Sequence, residues 1–225
     1  MSVLETLGAM KLTALKRGKK QGLNSYDSQH TVAEELNNKG FYKNSLGEYL
    51  NNLSVAYYEK DDIEKALELI REAIQESNRE ENNTKTIIIG KGMIALDIYR
   101  INEVHYLILL GQIDEAEQLD NLIDESRLKH PIALNLLWNR RAQLAVCKGD
   151  ALIARELLKK ARDLPLKIPK GESDNNFYYS LLIEAECDLL EHNKETALSK
   201  LNEIAAQSTF APTVKRAKEI IAEIR

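Results

Sequence analysis

Residues Leu134 to Pro165, LNLLWNRRAQLAVCKGDALIARELLKKARDLP, decide the fold of this chain, because they read as one complete helix-turn-helix hairpin. Trp138, Ala142 and Ala145 fall at i, i+4 and i+7, which puts them on one face of a first helix. Gly149 then supplies a turn and Asp150 an N-cap. Ala154, Leu157, Leu158 and Ala161 form a second apolar stripe, and Pro165 stops it. Ala142, Ala154 and Ala161 are where two helix backbones approach closely, so a larger side chain there would push the hairpin apart.

Three other stretches repeat this pattern. From Tyr42 to Ser77, which includes LSVAYYEKDDIEKALELIREAI, Leu50, Ser54 and Tyr57 stand where Trp138, Ala142 and Ala145 do, Asp61-Asp62 replaces Gly149-Asp150, and Ala66, Ile70 and Ala73 match Ala154, Leu158 and Ala161. Asp in place of the turn glycine is tolerable, because Asp also occupies turn conformations. A looser copy has Val104 and Leu107, the turn residue Gly111 and the packing residue Ala116, but Asp120 stands in the place of Leu158 and Ile123 serves as the later packing site. A last copy, from Phe177, has Ala185, a His192-Asn193 turn, Ala197, Leu201 and Ile204. Ala66, Ala116, Ala154 and Ala197 fall 50, 38 and 43 residues apart.

The pattern resembles the tetratricopeptide repeat (TPR), whose unit is a helical hairpin of about 34 residues. Trp138, Ala142, Gly149, Ala154, Ala161 and Pro165 carry the resemblance. It implies an all-α, right-handed superhelical solenoid of antiparallel hairpins, about ten or eleven helices in all. Residues 1–41 would be N-terminal helices forming a cap or partial repeat, 42–206 four hairpins, and 207–225 a closing helix opened by Pro212. An open solenoid needs such a cap. Between the second and third stretches, Thr84 to Leu110 reads as one long helix bent or broken at Gly90 and Gly92. PLKIPKGESDNN, from Pro165, reads as a loop.

Composition agrees with a soluble helical protein. Of 225 residues, 44% are hydrophobic and 29% charged, with three Phe, one Trp, ten Gly and four Pro. The net charge of -4 disfavours nucleic acid as a partner, which a basic domain would suit. The opening residues lack the charged start of a signal peptide, and no apolar run is long enough to span a membrane, so a cytoplasmic location is expected. Cys147 and Cys187 read as free, packed thiols. A basic cluster, Lys11, Lys16, Arg17, Lys19 and Lys20, reads as a solvated helix end, with contact to nucleic acid or an anionic surface as the alternative. HTVAEELNNKGFYKNSLGEYL, from His30, has only a faint likeness to a DNA-binding helix pair. IIIGKG, from Ile87, lacks the spacing of a phosphate-binding loop.

The resemblance also implies which residues face a concave groove: Asn51, Val55 and Tyr58, then Ile101, His105 and Ile108, then Asn139, Gln143 and Val146, then Leu182, Glu186 and Leu189. The amides of Asn51, Asn139 and Gln143 would capture a peptide backbone, the aliphatic positions would supply pockets, and Arg140 or His105 would take an acidic group. The expected partner is a protein or peptide segment, with the terminal helices offering a surface for a homodimer. No cofactor or metal is expected: His30, His105, His130 and His192 have no ligand spacing with the cysteines or each other, and neither cysteine has a neighbouring base. Catalysis is therefore not expected. A second expectation rests on RRAQLAVCKGDALIARELL, which is similar to repeats in the helical arms of large bacterial transcription activators. That likeness implies a sensor or regulatory arm answering a peptide or small molecule. The residue before each small one is Leu53, Glu103, Arg141 or Glu184, and the last three predict an ion-pair ladder between neighbouring first helices.

Overall fold

A computed structural model describes residues 45–83, 92–128, 131–165 and 172–224. Among them are nine α-helices and no strand: α1 (Ser45–Glu59), α2 (Ile63–Asn83), α3 (Gly92–Leu109), α4 (Ile113–Asp120), α5 (Pro131–Cys147), α6 (Ala151–Arg162), α7 (Glu172–Leu190), α8 (Lys194–Gln207) and α9 (Ala211–Ile224). A short 3-10 turn, Glu125–Arg127, lies between α4 and α5. The expected helices and basic cluster within residues 1–41, the 30–44 part of the faint DNA-binding pattern, and the 84–91 part of the expected long helix lie outside the described residues, as do His30 and His130.

Four helix pairs, α1/α2, α3/α4, α5/α6 and α7/α8, are hairpins closed by the same turn. In each, one residue adopts a left-handed backbone: Asp61 (φ 68°), Gly111 (φ 73°), Gly149 (φ 80°) and His192 (φ 63°). The amide of the following residue then bonds five residues back, Asp62 to Tyr57, Gln112 to Leu107, Asp150 to Ala145 and Asn193 to Asp188, at 2.7–3.0 Å. The left-handed residue bonds three back. Both bonds satisfy carbonyls that the end of a helix leaves bare. Asp62 and Asp150 then cap the next helix, accepting from the amides of Lys65 and Ile153 at 3.1 and 3.0 Å. Five residues after each left-handed residue stand Ala66, Ala116, Ala154 and Ala197, all fully buried. Ala73, Ala142, Ala161 and Ala185 are buried with them, where the paired helices touch.

The third copy departs as its sequence foretells. With Asp120 in the slot of Leu158, α4 stops after eight residues, and Ile123, from the following turn, fills the core instead. Asp120 is buried but held by Arg141, whose Nε lies 3.0 and 2.9 Å from its two oxygens. Burial pushes the Asp120 carboxyl above its ordinary range, with Arg141 opposing the rise.

The expected ladder between first helices does not form. Arg141 spends its guanidinium on Asp120 and, at 2.6 Å, on Glu125. Glu103 pairs with Arg71 at 2.8 Å and Glu184 with Arg162 and Lys200. At this register each charge reaches back to the second helix of the preceding hairpin, or the turn after it, and Glu184 also reaches Lys200 on the second helix of its own hairpin. A second correction concerns the expected loop after Pro165: α7 begins at Glu172, so its GESDNN portion is helical from that residue on.

Successive hairpins stack through the second helix of one on the first helix of the next, α2 on α3, α4 on α5 and α6 on α7, and through the first helices α3 on α5 and α5 on α7, and α9 covers α8 and touches both α7 and α1. The α9 stripe is Thr213, Ala217, Ile220 and Ile221, with Val214 and Ile224 half-buried at its margin. Cys187 is buried and Cys147 exposed, so only the first is packed as expected. Trp138 is half-buried. No helix among the described residues is long and apolar enough to cross a membrane.

Candidate functional site

The first helices bring the polar residues of the inner row together, and most of them meet each other. Asn51 on α1 accepts from the Asn102 amide on α3 at 2.9 Å. His105 on α3 and Tyr179 on α7 converge on Gln143 of α5, His105 through its Nδ1 at 3.1 Å and the tyrosine hydroxyl as a donor. Asn139 donates to the Asn135 carbonyl at 2.9 Å and accepts from Ser180 at 2.8 Å, which braces α5 against α7. Asn135 in turn donates to the Ala161 carbonyl at 3.0 Å, satisfying the end of α6.

Around His105 the aromatic rings close in. Tyr58 meets it edge-to-face at 5.0 Å and Tyr179 at 5.6 Å, while Tyr106 tilts against both Tyr58 and His105. Phe210, between α8 and α9, packs its ring 5.7 Å from that of Tyr58. The Arg140 guanidinium lies over the Tyr179 ring, 4.2 Å from its centroid.

The expected groove residues therefore fall into three groups. Ile101 and Leu182 sit in the apolar core, not on an accessible face, and Ile108 is buried too. Tyr58, His105, Asn139 and Arg140 are buried in the polar and aromatic cluster, with His105 1% exposed and Asn139 2%. Asn51, Val55, Gln143, Val146, Glu186 and Leu189 are half-buried. The Asn139 amide is taken up inside the protein, which removes the backbone-capturing role expected of it. Tyr106, Tyr179, Phe210 and Arg216 were not foreseen in this cluster. Tyr179 follows a stretch that reads as loop, and no periodic signal ties Phe210 to α1.

Electrostatically the cluster is a weakly charged enclosure. Burial holds the His105 imidazole well below its ordinary value, and Arg140 pushes in the same direction. Burial raises the hydroxyls of Tyr58 and Tyr106, and pushes Tyr179 up to about 12 against the pull of Arg140. At neutral pH the rings are uncharged. Glu186, at the edge, has its carboxyl raised by burial and pairs with Arg216 of α9 at 3.4 Å. Both thiols are raised, Cys187 to about 11, which leaves them protonated near neutrality. Among the described residues no His, Cys, Asp or Glu group of three or more is arranged to hold a metal ion. Searches against known proteins find no matching family model and no matching curated protein.

Proposed function

We propose that the chain is a TPR-like helical-repeat scaffold that binds a protein or peptide segment along the inner row of its first helices. The observation that carries this reading is the run of side-chain bonds from α1 to α7, Asn51–Asn102 and His105–Gln143–Tyr179. Apolar residues would stack the hairpins at least as well, so a polar inner row serves recognition. Asn51, Gln143 and Glu186 are the half-buried polar members that reach a ligand first, with Val55 and Val146 as apolar neighbours.

Affinity capture from lysate of the source cells tests it, with the intact chain and Gln143→Ala/Val55→Arg as baits. Proteins retained by the first and lost by the second assign recognition to the inner row. Identical retention by both, with both baits folded, moves the site to the outer surface.

The second reading, a regulatory arm that answers a peptide or small molecule, draws on the closure of the last helix over the first. Phe210 on Tyr58 and Lys215 on Asp61 join the two ends of the described chain. An arm of this kind changes curvature when the closure opens, and hydrogen exchange across several hairpins changes with it. A passive scaffold shows protection confined to the contacted row.

A further inference from the structure

The sequence neighbours Arg140 and Arg141 meet opposite fates. Arg141 is half-buried and holds two carboxylates. The other half-buried arginines follow that rule: Arg71 pairs with Glu103 and Glu115, Arg100 with Asp97, and Arg155 with Asp188 and Glu191. Arg140 is more deeply buried than any of these, 9% exposed, and no carboxylate among the described residues pairs with it. Its Nε and Nη1 are shut off from solvent and bonded to nothing. A guanidinium cannot shed its proton to escape such a place. The ring of Tyr179 offsets part of the cost. No carboxylate among the described residues offsets the rest, although one pairs with every half-buried arginine among them.

A second orphan lies in the same enclosure. His105 Nε2 is buried without a partner, while Nδ1 of the same ring faces Gln143. Unpaired nitrogens of two side chains, from adjacent first helices and each at least nine-tenths buried, meet at Tyr179: His105 lies among Tyr58, Tyr106 and Tyr179, and Arg140 lies over the Tyr179 ring. Chance packing errors do not usually converge in this way.

We propose that Arg140, with His105, Gln143 and Tyr179 around it, is a centre that receives a compact oxyanion, a carboxylate or phosphate, borne on a ligand with an adjoining apolar part. The planar guanidinium of Arg140 can give such a group two parallel donors, Nη2 together with either of the unpaired nitrogens Nε and Nη1. The tyrosine rings accept the apolar part. In the structure as it stands Phe210 covers Tyr58, and its segment is held by Lys215 to Asp61 and Arg216 to Glu186. Both ion pairs are at least partly solvated and add little to the hold, so the half-buried Phe210 ring is the cover that yields to the ligand, while the buried stripe of α9 stays packed on α8. The inference rests on the inner-row reading above and names the chemistry it recognises there.

The test uses the full chain in chloride buffer, titrated with sodium acetate or sodium phosphate at constant ionic strength. The readouts are the Nε–H resonance of Arg140 and the melting temperature. The expected result is a saturable shift of that resonance and a rise in melting temperature, with Arg140→Met melting at or above the parent in chloride and answering neither anion. Arg140→Lys keeps the charge but loses the fork, and its response is about ten-fold weaker. A response to acetate alone assigns a carboxylate, to phosphate alone a phosphate, and to both the shared oxyanion chemistry. An Arg140 resonance unmoved by either anion overturns the proposal. So does Arg140→Met melting well below the parent while still responding as the parent does. A flat titration beside capture that depends on Gln143 and Val55 removes this centre alone and leaves the scaffold reading standing.

Discussion

Lys215, in the last helix, pairs with Asp61, the residue whose left-handed backbone ends the first helix, across 154 positions of sequence. The pair sits in water on both sides, so it marks the closure without supplying its energy. The Phe210 ring against Tyr58 buries apolar surface and does supply it. Lys215→Ala is expected to leave the melting temperature unchanged. Phe210→Ala should cost about 2 kcal/mol, below the range for a fully buried ring. Amides of α9 should then exchange before those of α5. The reverse ranking of the two variants would put the docking energy in the ion pair.

The four left-handed turn positions predict opposite responses to substitution. A Cβ on Gly149 would touch nothing within 4 Å, so Gly149→Ala meets only backbone strain, about 1 kcal/mol. His192 already bears that strain at φ 63°, and His192→Gly should gain about 0.5 kcal/mol. Urea denaturation of both variants, read at the midpoint, checks the pair. A stabilising Gly149→Ala would mean that the turn relaxes out of the left-handed region.

Removing Arg141 strands Asp120 in a buried site. Arg141→Met should cost about 3 kcal/mol at neutral pH, and adding Asp120→Leu, the residue type found at position 158, should recover most of it. The pH dependence has a definite sign. Burial raises the folded carboxyl above its unfolded value of 3.8, so the folded chain binds the proton first as pH falls, and the cost of Arg141→Met shrinks on acidification toward about pH 4. Chemical denaturation at several pH values measures this, and a cost independent of pH would count against it.

His105 works the other way. Its folded value lies well below the unfolded 6.5, through burial and Arg140. Its neutral form therefore contributes stability that is complete above pH 6.5 and is lost as pH falls below it, because the unfolded chain takes up the proton first. The groups facing the ring are Tyr58, Tyr106, Gln143, Tyr179 and Arg140, none of them a carboxylate that would reverse the sign. His105→Gln should flatten the stability profile between pH 6.5 and 5, seen as melting temperatures in matched buffers. An equal slope in parent and variant would assign the acid sensitivity elsewhere.

Much of the hairpin pattern is legible without coordinates. A reversal between tight helices demands a left-handed residue, an N-cap directly after it and a small residue where the backbones touch, and these leave local marks at Gly149, Asp150 and Ala154. The marks persist where Asp61 and His192 stand in for glycine. The start of α7 was hidden because Glu172, Ser173 and Asp174 suit a helix N-terminus as well as a loop. The charge partners of Arg141 were hidden too, since its sequence register fits either neighbouring helix. The inner-row positions were named by pattern, but pattern gives the face of a helix, not how deeply that face is covered.

The helical class and the turns follow from contacts between residues a few positions apart, and so could be read from the chain alone. That α9 reaches α1, that Asn139 bonds inside the protein, and that Arg140 lies buried with no paired carboxylate among the described residues while its neighbour Arg141 holds two, emerge from the packed fold. These depend on the angle at which each hairpin meets the next, and that angle is the summed result of side chains packing across the whole stack.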